Sequence, residues 1–186
     1  MATVETQLIT AAEFLRMPNL GPAELVRGRV VPMNPPGWRH GHVALRLAGM
    51  LDRYLELHDI GRAASNDSGV LTQHDPDTVR GADLCYHSYA RLPASLEPDD
   101  YPELAPEIIW EVLSPGNRWT DMLAKVAEYL EASVLVVCVV DPERQCCTSY
   151  FPDRPAETLN LGDVWRAAEI LPGFELPLAK LFRRRS

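Results

Sequence analysis

The chain lacks a long hydrophobic run, a basic excess and any paired-cysteine motif, and each lack removes a class of function. Its longest apolar stretch, Val134 to Val140, is far short of the roughly 20 residues that a membrane helix needs, so no membrane partner is expected. The opening MATVETQLIT has neither a basic region nor an apolar core, and no secretory signal is legible. Cys85, Cys138, Cys146 and Cys147 show no CxxC spacing. Adjacent cysteines on a strand point to opposite faces and make poor disulfide partners, so a reduced, cytoplasmic protein is expected. The 26 acidic residues outnumber the 18 Lys and Arg, for a net charge of -8. That balance argues against a broad basic surface for non-specific nucleic-acid binding, although a bound divalent cation and a local basic cleft could offset it. No helix-turn-helix or zinc-finger pattern is present for base readout, and Cys85 with His87 has no recognisable zinc-ligand spacing.

What is present reads as one globular domain spanning residues 1–186, with 46% hydrophobic and 24% charged residues. Thr10 followed by Glu13 is a capping-box pattern that predicts a short helix. AELVRGRVVPM predicts two short strands turning near Arg27-Gly28. NPPGW reads as a loop, and the spacing of Val43, Leu47, Met50, Leu51, Tyr54 and Leu55 predicts a helix from Gly41 to Leu57. Strands follow at Gly69–Gln73 and Val79–Tyr86, around the turn-rich HDPDT. A proline-rich excursion over 88–106 leads to a strand at Glu107–Leu113. TDMLAKVAEYLEA predicts a helix with Thr120 as N-cap and Leu123, Val126, Ala127 and Leu130 on its apolar face. SVLVVCVVDP predicts a strand covered on both faces, QCCTSYF pairs with it as a hairpin, and LPGFELPL adds short strands. The order predicts an α/β fold around a mixed sheet.

Two acids stand out. In PEIIWEVLSPG, Glu111 shares a strand face with Glu107, Ile109 and Leu113 inside an apolar segment. Asp83 interrupts the preceding strand in the same way. Consecutive strands are often neighbours, so the two carboxylates could converge, and a cation between them would relieve their repulsion. All-oxygen ligands favour Mg²⁺ or Mn²⁺ over zinc. Each acid also has a simpler reading, at a solvated strand end or paired with an arginine such as Arg80. Lys125 could make a surface ion pair with Asp121 or Glu128, and Glu24 could be a solvent-facing acid. A carboxylate-pair glycosidase would need an aromatic-lined groove, for which Tyr86 and Trp110 give little support.

At these residues the chain resembles the Uma-two family of restriction endonucleases within the PD-(D/E)xK nuclease superfamily. The resemblance runs through AELVRGRVVPMNPPGWRHGHVALRLAGML, DTVRGADLCY, EIIWEVLSP, DMLAKVAEYLEASVLVVCVVDP and LPGFELPLAKLF, in the family's order. It implies a restriction-endonuclease-like mixed β-sheet flanked by helices, and a Mg²⁺- or Mn²⁺-dependent endonuclease acting on DNA. It also implies the site residues: Asp83, Glu111 and the main-chain carbonyl of Val112 as metal ligands, Lys125 as the amine, and Glu24 as the early acid. His40 matches the histidine before the long helix, either as a helix-start hydrogen bond or as part of the chemistry. Two positions depart from the pattern: Ala82 stands where the family usually has proline, and Leu113 stands where a strict (D/E)xK motif has lysine. Related nucleases often act as homodimers, so a homodimer is an expectation. The alternative is a nuclease-like fold kept as a catalytically inactive nucleic-acid-binding or protein-interaction module.

Overall fold

A computed structural model of the chain describes residues 8–116 and 118–183. Helix α1 (Ala11–Leu15) starts at the expected capping box of Thr10 and Glu13. Strands β1 (Ala23–Val26) and β2 (Arg29–Pro32) form the expected hairpin. Its turn residues, Arg27 and Gly28, both take positive φ, at 49° and 72°, as a tight two-residue hairpin loop requires.

Helix α2 covers Trp38–Leu55 and so begins three residues before the expected start at Gly41. Trp38 is 81% exposed, which is why burial periodicity missed the first turn. Strands β3 (Gly61–Gln73) and β4 (Thr78–Ser88) pair antiparallel along almost their whole lengths. The first half of β3, GRAASNDS, is largely exposed and carries no apolar alternation. Pairing with β4 rather than burial makes it a strand. No helix or strand crosses the expected excursion between β4 and β5 (Ile108–Val112).

Helix α3 (Trp119–Glu131) corrects two expectations. Its N-cap is Arg118, and Thr120 lies inside the first turn, where its hydroxyl donates to Asp121. Its buried face is Met122, Val126 and Tyr129, whereas Leu123 is 44% exposed. The helix is turned to bring charged residues, as well as apolar ones, against the sheet.

Strand β6 (Val136–Asp141) is buried throughout, pairs parallel with β5 and forms the expected hairpin with β7 (Cys146–Tyr150). Strand β8 (Glu157–Leu159) ends the sheet. A two-stranded sheet of β9 (Val164–Trp165) and β10 (Leu176–Pro177), then α4 (Leu178–Leu181), complete the described chain.

The main sheet runs β2-β1-β4-β5-β6-β7-β8, with β3 also on β4. It is the mixed sheet flanked by helices that the sequence predicts. On one face, Val43, Leu47 and Leu51 of α2 pack on Leu84, Tyr86, Trp110 and Val112. On the other, Met122, Val126 and Tyr129 of α3 pack on Cys85, Ile109, Val137 and Val139. Strand alternation therefore points Glu111, two residues after Ile109, toward α3. Tyr86 and Trp110 are fully buried on the α2 side, so they line no sugar groove. All four cysteines are free, and among the described residues no helix is long and apolar enough to cross a membrane.

Candidate active site

The site lies where the sheet opens. Strand β4 meets β1 only at Val79, opposite Leu25, and meets β5 at Leu84–Tyr86. Along that edge, residues 80–83 of β4 face a fork between β1 and β5. Buried backbone groups need partners, and side chains supply them here. Gly81 N–H donates to Glu24 Oε1 at 3.1 Å, and Lys125 Nζ donates to the Gly81 carbonyl at 2.7 Å. Across the fork, Val112 N–H donates to Asp83 Oδ2 at 2.6 Å. A strand N–H points in the plane of the sheet, so the Asp83 carboxylate sits in the fork where a strand carbonyl would be. Continuing the β4–β5 register from Leu84–Trp110 sets Asp83 directly across from Glu111.

Two helices close the fork from opposite faces. From α2, His40 Nε2 lies 3.0 Å from Asp83 Oδ2. From α3, Lys125, Glu128 and Tyr129 fall on one side of the helix at the i, i+3, i+4 spacing. Lys125 Nζ is 3.1 Å from Glu111 Oε1 and 3.0 Å from Glu24 Oε1. Tyr129 donates its hydroxyl to Glu111 Oε1 at 2.9 Å. Glu128 takes a two-pronged pair from Arg80, at 2.6 and 2.7 Å, and the same guanidinium reaches Glu24 Oε2 at 2.7 Å.

The simpler readings of these residues fail. Lys125 makes no surface pair with Asp121 or Glu128; its side chain is 14% exposed and turned inward. Glu24 is buried, so it is not a solvent-facing acid. Arg80 pairs with Glu24 and Glu128, not with Asp83. Cys85 and His87 form no zinc site: Cys85 is buried in the α3-side core and His87 Nε2 meets the Leu104 carbonyl at 3.2 Å. Leu113 takes no part in the polar cluster and packs against the α3-side core.

Burial pushes the Glu111 carboxyl up to about 7; Asp83 adds to the rise, while Lys125 and the Tyr129 hydrogen bond restrain it. Burial opposes the charge on Lys125, but Glu111 and Glu24 outweigh it and raise its pKa. The pKa of Glu24 is lowered because Lys125 and Arg80 outweigh its own burial. In His40, the Asp83 bond outweighs burial and raises the imidazole.

Four residues that sequence reasoning did not place in the site belong to it: Arg80, Glu128, Tyr129 and Asp67. Asp67 sits in a β-bulge of β3 opposite Asp83, where Ser65 pairs with Leu84 but Ser68 pairs with Ala82. Asn66 and Asp67 there have φ of 68° and 56°, a conformation that Asn and Asp tolerate better than most residues. A Cβ on Gly81 would lie 3.1 Å from the Asp67 Cβ, so the bulge fits against a bare glycine. Burial and the nearby Asp83 charge raise the Asp67 pKa. One signal for Lys125 was available: the chain has just two lysines against sixteen arginines.

Beside the fork, a cleft of about 180 Å³ opens at the C-terminal ends of β5 and β6 and includes His40. In open α/β sheets, ligands bind outside the carboxyl ends of the strands. Among the described residues, no three His, Cys, Asp or Glu side chains gather as a metal-ligand set.

A family model described as "Putative restriction endonuclease" (Uma2) matches residues 11–179. A solved structure described as a "putative nuclease belonging to DUF820" from Anabaena variabilis ATCC 29413 aligns with a TM-score of 0.78 at 20% identity. The alignment covers 94% of this chain and 97% of that one, and the likeness shows a shared fold. No curated protein matches the chain.

Proposed function

This chain belongs to the Uma2 family, and from that premise we propose that it is a divalent-metal-dependent endonuclease that hydrolyses phosphodiester bonds of DNA. The observation that carries the proposal is the joining of Glu24, Asp83, Glu111 and Lys125 in one buried fork of the sheet. The donor chemistry fits a hard cation. Around the fork, the carboxylates of Glu24, Asp83, Glu111 and Glu128 face the cations Lys125 and Arg80, leaving an excess of two negative charges once Glu111 ionises, above about pH 7. Mg²⁺ or Mn²⁺ would be held by Asp83, Glu111 and the carbonyl of Val112. Two side chains suffice, because Mg²⁺ usually keeps several waters and accepts substrate phosphate oxygens. When bound, such an ion lowers the pKa of a water and neutralises charge on the phosphate.

The chain's own residues then have distinct tasks. Asp83 is oriented by His40 and the Val112 amide, and Glu111 by Tyr129 and Lys125. Glu24 positions Lys125 and Arg80 from beneath. Lys125 holds a full positive charge about 3 Å from Glu111, where it favours charge building on a phosphate in the fork. The amine that a strict motif would place at 113 is thus supplied from α3.

The test is cleavage of plasmid and oligonucleotide DNA with Mg²⁺ or Mn²⁺. Asp83→Asn and Glu111→Gln should abolish cutting, and Lys125→Ala should slow it roughly a hundred- to a thousand-fold. Variants that cut as fast as the parent would overturn the assignment. A second reading, a catalytically inactive binding module on the same fold, is favoured by the engagement of Lys125 with three acceptors, Gly81 O, Glu24 and Glu111. Under that reading the parent protein also cuts nothing with either metal.

A further inference from the structure

The cleft beside the fork has a composition that the hydrolytic site does not explain. It is built where two long helices begin. Helix α2 starts at Trp38 and α3 at Trp119, and among the described residues neither N-cap, Gly37 or Arg118, makes a side-chain cap bond. Uncapped helix starts present unpaired N–H groups and the positive end of the helix dipole, a setting suited to a phosphate. Arg39 and Arg144 line the cleft beside them. His40 also lines it; its side chain is nine-tenths buried, and its Nδ1, itself buried, has no hydrogen-bond partner among the described residues. Its Nε2 holds Asp83, so one ring joins the cleft to the fork.

One aromatic face completes the lining. Trp119 forms part of the cleft wall and is 40% exposed. Trp38, one residue before Arg39, is 81% exposed and stacks on His42 with ring centroids 4.8 Å apart. An exposed aromatic ring beside a cleft lined by arginine is suited to holding an unstacked base.

The charge pattern decides which nucleic acid fits. Asp141 and Glu143 share the cleft with Arg39 and Arg144, and the Asp141 carboxylate is occupied by the amides of Glu143 and Arg144. Arginines and acids balance locally, and the whole chain carries -8. Duplex DNA is gripped mainly by neutralising many phosphates with Lys and Arg, which this surface is not built to do. A cleft of about 180 Å³ takes a small group, not the side of a double helix.

We propose that this cleft docks single-stranded DNA, with one phosphate against the two helix starts and an unpaired base on the Trp119 ring. This inference rests on the nuclease reading above and names its substrate class: single strands, flaps or frayed ends. Affinity comes from stacking and one localised phosphate contact, so it changes little with salt, unlike binding that releases many counterions.

The test measures binding in EDTA, where cleavage chemistry plays no part. Fluorescence anisotropy would follow labelled oligo-dT, a duplex and oligo-rU against the parent, Trp119→Ala, Trp119→Phe and Arg39→Gln. Oligo-dT should bind at least about ten-fold tighter than duplex. Trp119→Ala should weaken it roughly ten-fold, as loss of one stacking ring does, while Trp119→Phe restores most of the binding and Arg39→Gln weakens it. Duplex binding as tight as oligo-dT, tighter binding of oligo-rU, or indifference to Trp119→Ala would overturn the inference. Selective oligo-dT binding through Trp119 without any metal-dependent cutting would uphold the cleft and remove the nuclease. Cutting of duplex without single-strand preference would do the reverse.

Discussion

Replacing Glu111 with Gln preserves its shape and removes the one carboxylate of the fork whose proton is held near neutrality. Burial pushes the Glu111 pKa up to about 7 from an ordinary 4.5. The folded protein therefore holds this proton more tightly than the unfolded chain does. The associated stability is fully present below about 4.5 and is lost as pH rises through about 7. At about 1.4 kcal/mol for each pH unit separating the two pKa values, the change amounts to about 3 kcal/mol. Glu111→Gln lacks this titration. Urea unfolding in EDTA at about pH 4.5 and about pH 8 should show the parent losing about 3 kcal/mol relative to the variant between the two conditions. Parallel stabilities at both pH values would refute the argument that Glu111 is desolvated beside another carboxylate.

Further perturbations test the neighbouring contacts. Arg80→Met leaves Glu24 buried with one of its two cations gone, and should cost about 3–5 kcal/mol in urea unfolding; a loss below about 1 kcal/mol would mean the pair behaves like a solvated surface bridge. Tyr129→Phe deletes the 2.9 Å bond to Glu111, and should cost about 1–3 kcal/mol. Because that bond restrains the Glu111 pKa, the variant's pH–stability curve should also shift upward in pH. Gly81→Ala brings a methyl group to 3.1 Å from the Asp67 Cβ, and should lower stability by roughly 1–3 kcal/mol, read by thermal melting. A full-strength Gly81→Ala protein would mean that the β3 bulge moves freely.

Much of this arrangement is legible in the sequence. The two-residue period of EIIWEV set Glu111 on the face of Ile109, and the resemblance paired it with Asp83 and Lys125. What stayed hidden was hidden for physical reasons. The first half of β3 has no apolar alternation because pairing, not burial, holds it, so its bulge and Asp67 were invisible. In α3, apolar spacing selected Leu123 and Leu130, whereas the buried face combines Met122, Val126 and Tyr129 with inward-turned Lys125 and Glu128. A charged residue in a helix reads as solvated until a buried partner is seen, and the partners here, Arg80 and Glu24, come from strands far away in sequence. The first turn of α2 escaped because Trp38 faces solvent, where no burial pattern marks it.

The proposed chemistry depends on Asp83 and Glu111 gripping one hard cation between them. Calorimetric titration of Mn²⁺ into the parent, Asp83→Asn and Glu111→Gln at about pH 8 tests this most directly, since ligand carboxylates must be ionised to bind. The parent should bind one ion per chain, and either variant should lose that binding. A parent that binds no Mn²⁺, or variants that bind it as the parent does, would contradict this chemistry.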